Sequence, residues 1–126
     1  MKYKKINLKN YKDNRGVLTP IEFKNKLKTN IKRIFLINGK KGSLRGDHAH
    51  KKCIQFFLQL QGKCLVQFSN KKEKKNFILD KKKKFILMAY PKTWVRINFL
   101  TKNNLTLVLC SHKYNKNDYI YDFKKI

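Results

Sequence analysis

Short apolar runs recur along this chain at intervals of about ten residues, whereas the spacing typical of an amphipathic helix is nearly absent. Clusters of Lys, Asn and Asp separate the runs. We predict strands at residues 17–23, 31–37, 53–60, 63–68, 76–79, 85–90, 94–100 and 105–110, with a hairpin turn at 61–62 and a helical turn within 22–28. This pattern indicates an all-β sandwich or barrel, built as a single domain over residues 1–126, with the aromatic tail at 117–123 docked on it.

The chain carries a formal charge of +25 at pH 7, which could serve a nucleic acid, an anionic membrane or a small anionic substrate. Lysine supplies nearly all of this charge, whereas the recognition of base edges and the bidentate binding of phosphate favour arginine. The lysine runs at 71–75 and 81–84 also fall where we predict turns. We therefore expect solvated loops and no specific nucleic-acid partner, with the charge free to steer an anionic substrate.

Three features bear on where the protein works. Cys53, Cys64 and Cys110 are odd in number and widely spaced, which indicates free, buried thiols in a reducing cytoplasm. No apolar run approaches the roughly 20 residues that cross a bilayer. The N-terminus is charged and lacks the apolar stretch and cleavage site of a signal peptide. We expect a cytoplasmic protein without a membrane partner.

The chain has three histidines, and two of them stand in the segment Arg-Gly-Asp-His-Ala-His-Lys at 45–51. If this segment is a strand, His48 and His50 project from the same face, about 6.7 Å apart along the chain. The simpler alternative is a pair of exposed strand histidines. The glycines nearby and Arg45 favour a specialised segment instead.

The spacing around these histidines resembles the first motif of the cupins. That motif has a glycine, five residues, His-x-His, three or four residues, a glutamate, six residues and a glycine; here the matching positions are Gly42, 48–50, Gln55 and Gly62. The second cupin motif, Pro-x-Gly-x-x-His, is similar to residues 91–96, where Thr93 and Arg96 replace the glycine and the histidine. The resemblance implies a small jelly-roll cupin.

The departures from the cupin motifs argue against a metal centre. A metal cupin supplies three histidines and one carboxylate, but this chain offers a neutral amide at Gln55 and a guanidinium at Arg96. A guanidinium cannot become a ligand, and its charge repels a cation. His112 lies too far beyond the motif and is interpreted as a surface or structural histidine. We expect no metal and no cofactor.

Without a metal, His48 and His50 are the candidate acid/base pair, because imidazole titrates closest to neutrality. The basic surroundings should lower the pKa of both histidines and keep them neutral. Arg45 and Arg96 are then candidates to neutralise a phosphate or a developing enolate oxygen.

Segment 45–51 resembles the Arg-Gly-x-His-Ala-His-Lys signature of the sugar 3,4-ketoisomerases. Further segments of the chain match the same family in order and spacing: 13–18 with Glu22, 31–34, 91–96 and 118–120. The resemblance implies action on dTDP-4-keto-6-deoxyglucose, in which the ketone moves from C4 to C3 through a 3,4-enediol. It also implies a homodimer with exchanged N-terminal strands. Arg15-Gly16 is more similar to members that give the galacto product, and 34–37 lacks the tyrosine that some members carry there.

Candidate substrate-binding residues follow from this reading. Arg15 is expected to meet the phosphates, reaching across from an exchanged N-terminal segment. Trp94 is the only indole and offers a face for the nucleotide, although a core role is an equal alternative. Arg45, Gln55 and Arg96 complete the set.

Three other functions remain open at this point. A nucleotide-sugar epimerase on the same fold would usually pair a single histidine with a tyrosine. A nucleic-acid-binding β-barrel would need a row of stacking aromatics on one strand, which Phe56-Phe57 and Tyr119/Tyr121 do not clearly supply. A metal-dependent cupin oxygenase is opposed by Gln55 and Arg96.

Overall fold

The computed structural model describes residues 1–23 and 29–126. These residues form the strands β1 (Tyr3–Asn7), β2 (Tyr11–Asp13), β3 (Gly16–Leu18), β4 (Arg33–Ile37), β5 (Leu44–His50), β6 (Gln55–Gln61), β7 (Lys63–Ser69), β8 (Lys74–Asp80), β9 (Phe85–Ala89), β10 (Trp94–Phe99), β11 (Leu105–Cys110) and β12 (Tyr119–Ile120). Short 3-10 turns at Lys116–Asp118 and Phe123–Lys125 flank β12.

Two five-stranded sheets build the molecule. The first has the order β1-β9-β6-β11-β4, the second has the order β12-β5-β10-β7-β8, and β2 pairs with β3 in a separate hairpin. Every strand pairing within the described residues is antiparallel. The expected all-β, small single-domain cupin fold is confirmed.

Buried and exposed side chains alternate along the strands, and the buried ones form the core between the two sheets. In β10, Val95, Ile97 and Phe99 are buried, while Trp94 and Arg96 face outward. Side chains from β6 to β11 join the same buried cluster, for example Phe57, Cys64, Val66, Phe68, Leu87 and Val108. Strand β6 is buried on both faces, because a second apolar cluster around Phe56 covers the outer side of the first sheet.

Most of the predicted strands exist, with ends that shift by up to two residues. Residues 105–110 form β11 as predicted. The predicted hairpin with its turn at 61–62 is wrong, because β6 pairs within the first sheet and β7 within the second, and Gly62 only connects the two strands. The prediction for 17–23 is wrong beyond Leu18, because β3 ends there and pairs with β2. The predicted helical turn within 22–28 lies mostly outside the described residues. Strand β1 was missed because its two exposed lysines hide its apolar residues.

The tail and the cysteines behave as expected. Tyr119 and Ile120 pair with β5, and Ile120 is buried. Cys53, Cys64 and Cys110 are free and buried. No helix among the described residues is long and apolar enough to span a membrane.

Candidate active site

A β-bulge in β5 determines which face of the sheet Arg45 and His48 occupy. In the pairing with β10, His48 lies opposite Val95 and Gly46 lies opposite Arg96, so Asp47 is an extra residue without a partner position. Residues three apart on a regular strand face opposite sides, but one extra residue restores the parity. Arg45 and His48 therefore both face the interior of the sandwich, and both line the same cavity.

The bulge depends on the residues that form it. Gly46 and Asp47 both have left-handed backbone angles, with φ of 89° and 56°. A Cβ at position 46 would lie 2.5 Å from the carbonyl oxygen of Val95, so glycine is required there. Aspartate tolerates the left-handed region better than most residues do.

Hydrogen bonds fix the tautomers of both histidines. Nδ1 of His48 lies 3.0 Å from the carbonyl oxygen of Gly46, and Nδ1 of His50 lies 3.0 Å from Oδ2 of Asp118. Both partners are acceptors, so each Nδ1 carries the hydrogen in the neutral imidazole and each Nε2 keeps a free lone pair. The two rings meet edge to face, with centroids 5.2 Å apart. The expectation that both project to one side is met.

Burial is the main cause that lowers the pKa of both histidines. For His48, burial outweighs the hydrogen bond to Gly46 and the nearby charge of Asp47, which raise its pKa. For His50, burial outweighs the opposing effect of Asp118, while His48 and Arg33 lower its pKa further. The expected direction is correct, but desolvation contributes more than the basic surroundings do.

Asp118 holds His50 from behind. Its Oδ1 accepts the backbone N–H of Lys52 at 2.8 Å, and its Oδ2 accepts the backbone N–H of Cys53 at 3.2 Å besides the imidazole of His50. The carboxylate is 13% exposed. On the other side of the ring, Nε2 of His50 is buried and has no hydrogen-bond partner among the described residues. This arrangement orients the imidazole and leaves the lone pair of Nε2 without a hydrogen bond among the described residues.

A cavity of about 330 Å³ lies between β4 and β6 of the first sheet and β5, β10 and β12 of the second. Its polar lining residues are Arg33, Asn38, Arg45, His48, Gln55 and Tyr119. His48 thus faces the cavity, whereas His50 is 6% exposed and lies behind it, in contact with His48 and Tyr119. Gln55 is buried in the cavity wall, and its amide Nε2 donates to Sγ of Cys110 at 3.7 Å.

Arg33 and Tyr119 line the cavity but were not among the predicted site residues. Arg33 stacks on the rings of Phe35 and Tyr114, and its Nη1 donates to the hydroxyl oxygen of Tyr119 at 3.4 Å. Tyr119 packs against both histidines. Both residues belong to segments that resemble the ketoisomerases, and that resemblance was the available signal.

The structure does not bring Trp94 and Arg96 to the histidines. Both side chains project from the outer face of β10, because Val95 takes the inward position between them. Nε of Arg96 donates to Oδ1 of Asp47 at 2.6 Å, and Trp94 packs edge to face on Phe123. Of the two arginines expected to neutralise a phosphate or an enolate oxygen, only Arg45 lines the cavity. Trp94, a candidate to offer a face to the nucleotide, does not line the cavity either.

Arg15 stands on the hairpin of β2 and β3, away from the cavity of its own chain. Its guanidinium donates to Asp13 through Nη2 at 2.6 Å and through Nε at 3.1 Å, and its side chain is 86% exposed. The same hairpin exposes Val17 and Leu18.

The donor set does not fit the four-ligand metal site of a cupin. Gln55 offers a neutral amide, and Arg96 faces the opposite side of β10. His50, Cys53 and Asp118 do place potential ligand atoms within 4.8 Å of one another. The carboxylate oxygens of Asp118 are already hydrogen-bonded to two backbone amides and to His50, which indicates a structural unit instead.

Comparison with known proteins identifies the family. The family model described as FdtA: WxcM-like, C-terminal matches residues 1–126. The TDP-4-oxo-6-deoxy-alpha-D-glucose-3,4-oxoisomerase of Aneurinibacillus thermoaerophilus is 35% identical over 99% of this chain and 92% of its own length.

Two solved structures are similar over nearly the whole chain. A 3,4-ketoisomerase from Helicobacter canadensis is 32% identical, with a TM-score of 0.90 over 99% of this chain and 94% of its own. QdtA, a sugar 3,4-ketoisomerase from Thermoanaerobacterium thermosaccharolyticum in complex with TDP, is 31% identical, with a TM-score of 0.89 over 98% of this chain and 90% of its own. With its bulged strand and its paired histidines, the chain belongs to the sugar 3,4-ketoisomerase family of WxcM-like cupins.

Proposed function

We propose that this protein converts dTDP-4-keto-6-deoxyglucose into a dTDP-3-keto-6-deoxyhexose, with His48 and His50 as its acid/base pair. The observation that carries the proposal is the state of the two imidazoles. Each has its Nδ1 committed to an acceptor, and each therefore keeps its Nε2 for proton transfer. The lowered pKa of both rings keeps them neutral at neutral pH, the form that a general base needs.

The reaction moves two carbon-bound protons. His48 faces the cavity and removes the proton from C3, which gives a 3,4-enediolate. A proton is then added at C4, and the ketone forms at C3. We assign the C4 end to His50, because its Nε2 has no partner within the described protein and Asp118 stabilises the imidazolium form. His50 takes a proton at Nε2 from solvent and gives it to C4, and His48 releases the C3 proton to solvent, so both rings return to the neutral form.

Positive charge at the cavity supports an anionic substrate. Arg33 and Arg45 both line the cavity, and neither is paired with a carboxylate there within the described residues. Guanidinium groups bind diphosphate oxygens in a bidentate manner and also stabilise charge that develops on an enolate oxygen. The amide of Gln55 adds a neutral group to the same wall.

We further propose that the active unit is a homodimer with exchanged N-terminal segments. The hairpin of β2 and β3 exposes apolar side chains, and the edge strand β4 exposes Ile34 and Leu36 next to the cavity. A second copy would cover these surfaces, and its Arg15 would reach the phosphates of the substrate. The free thiols support a reducing compartment, and so we propose that the protein works in the cytoplasm.

Product analysis by NMR in D₂O tests the proposed function. Incubation with dTDP-4-keto-6-deoxyglucose should move the ketone to C3 and add deuterium at C4, because the intermediate collects its proton from an exchangeable group. We expect the galacto configuration at C4. Exchange of carbon-bound hydrogen for deuterium, or inversion at carbon, while the ketone stays at C4 would identify an epimerase instead. Complete transfer of the original C3 hydrogen would reduce the mechanism to one shielded base.

A further inference from the structure

Tyr119 lies beside both histidines and takes no part in the two carbon-bound proton transfers. It lies opposite His50 in the pairing of β12 with β5. Its ring centroid lies 4.8 Å from that of His48 and 4.4 Å from that of His50, and its side chain lines the cavity. It is therefore in contact with both histidines and with the space that receives the sugar.

The hydroxyl oxygen of Tyr119 accepts a hydrogen bond from Arg33. Nη1 of Arg33 lies 3.4 Å from the phenol oxygen, and a guanidinium can only donate. The phenol oxygen is thus the acceptor in this contact, and its own hydrogen remains available to another acceptor. Arg33 also lies where it stabilises negative charge on that oxygen.

A 3,4-isomerisation needs more than the two carbon-bound proton transfers. When C3 loses its proton, charge develops on O4, and this oxygen must gain a proton. In the second half of the reaction, O3 must lose its proton as the new ketone forms. O3 and O4 are neighbours in the enediol, so a single group beside them can serve both.

The cavity wall offers few groups for this task. Among the described lining residues, His48 and Tyr119 are the two that can both give and take a proton. Arg33 and Arg45 stay protonated, and the amides of Asn38 and Gln55 do not exchange protons on this scale. His48 is already engaged at carbon.

We propose that Tyr119 is a third catalytic residue, which shuttles the hydroxyl proton between O4 and O3 with the support of Arg33. This inference rests on the proposed isomerase function. In the first half, the C3–H electron pair becomes the C3=C4 bond, and the C4=O4 π pair takes the proton of the Tyr119 hydroxyl. In the second half, the tyrosinate removes the proton from O3, the O3–H pair forms the C3=O3 bond, and the C3=C4 pair takes a proton at C4. Tyr119 ends each turnover in its original state.

The test compares Tyr119→Phe with Tyr121→Phe. The first change removes the hydroxyl but keeps the ring that packs on both histidines. The second removes a hydroxyl from the neighbouring ring, which stacks on Tyr119 at 5.7 Å and is 69% exposed. We expect Tyr119→Phe to lower kcat by roughly 10²- to 10⁴-fold with little change in KM, and Tyr121→Phe to stay close to the wild type. Binding of TDP, measured by calorimetry, verifies that both variants keep the folded site.

A second readout separates a catalytic role from a structural one. In D₂O, Tyr119→Phe should slow isomerisation more than it slows removal of the C3 proton, because Arg33 and Arg45 still stabilise charge on O4 whereas no other described residue of the cavity wall replaces the tyrosinate that takes the proton from O3. Deuterium at C3 of recovered substrate should therefore rise relative to product formed. If exchange and isomerisation fall together in the same ratio, or if Tyr119→Phe keeps wild-type turnover, the proposal is wrong. A wild type that binds TDP but isomerises nothing would instead refute the proposed function itself.

Discussion

Replacement of Asp118 by Asn tests how far the proton chemistry depends on the group behind His50. The amide has nearly the same shape as the carboxylate but no charge, and one of its two terminal atoms is a donor. If the amide oxygen faces His50 and Cys53, the N–H of Lys52 loses its acceptor. If the amide nitrogen faces His50, Nδ1 of the ring must accept, and the hydrogen moves to Nε2. The second orientation removes the free lone pair of His50.

The attraction between the Asp118 carboxylate and a protonated His50 determines how far kcat should fall in Asp118→Asn. Two unit charges about 4 Å apart interact by about 4 kcal/mol at an effective dielectric constant of about 20. If His50 becomes an imidazolium during turnover, loss of the carboxylate raises the barrier by up to that amount, which is a decrease in kcat of about 10²- to 10³-fold. The folded protein loses one or two hydrogen bonds to a charged acceptor, or about 1–3 kcal/mol, so the melting temperature should fall by several degrees.

The assay is a double-mutant cycle in kcat with His50→Asn. Asp118→Asn should cost little further activity once His50 is absent, because its effect acts through that imidazole. Asp122→Asn is the matched control, since Oδ1 of Asp122 accepts the N–H of Lys124 at 3.0 Å in an exposed turn. An Asp118→Asn variant that melts lower but keeps kcat within about threefold of the wild type would show a structural role only.

The other predictions concern the histidines, the pH dependence and the N-terminal hairpin. His48→Asn and His50→Asn should each lower kcat by roughly 10²- to 10⁴-fold, and the double variant should lose less than the product of the two; near-normal turnover in either single variant would contradict the two-histidine mechanism. Because burial lowers the pKa of both histidines below the ordinary 6.5, the acid limb of kcat/KM should lie below pH 6.5. For the same reason the unfolded chain binds protons more readily below that pH, and the melting temperature should fall as the solution is acidified from neutrality, less so in the double variant. Arg15→Ala should mainly raise KM for the nucleotide sugar, whereas Lys12→Ala on the same hairpin should not; equal KM values would remove Arg15 from the binding site.

Strand periodicity in the sequence predicts the fold. The same periodicity predicts which face of β10 each side chain is on, and for Arg96 it disagrees with the alignment to the second cupin motif. Val95, Ile97 and Phe99 alternate as buried residues in β10, so Trp94 and Arg96 must face outward. The alignment of Arg96 with a metal-ligand position of the cupins predicts instead that its side chain faces the cavity.

Other parts of the site could not be derived from alternation. Asp47 breaks the parity of β5, and nothing local in a single sequence reveals that Arg45 and His48 share a face. Asp118 and Tyr119 join the histidines only because β12 pairs with β5, and His50 and Asp118 are 68 positions apart in the sequence. That contact depends on tertiary folding, and the resemblance to a family gave the segment but no role for it.

The bulge in β5 also limits the insertions and deletions that the gene can accept. Since a strand turns each successive side chain to the other face, an in-frame loss of the codon for Asp47 would turn Leu44 and Arg45 over, so that Arg45 leaves the cavity, and would remove the acceptor of Arg96. An inserted codon beside it would also turn Arg45 out of the cavity. The lysine-rich turn between β7 and β8 has no such constraint, because no cavity residue depends on its length. Homologous genes should therefore tolerate length changes at 70–73 far more readily than between Arg45 and His48.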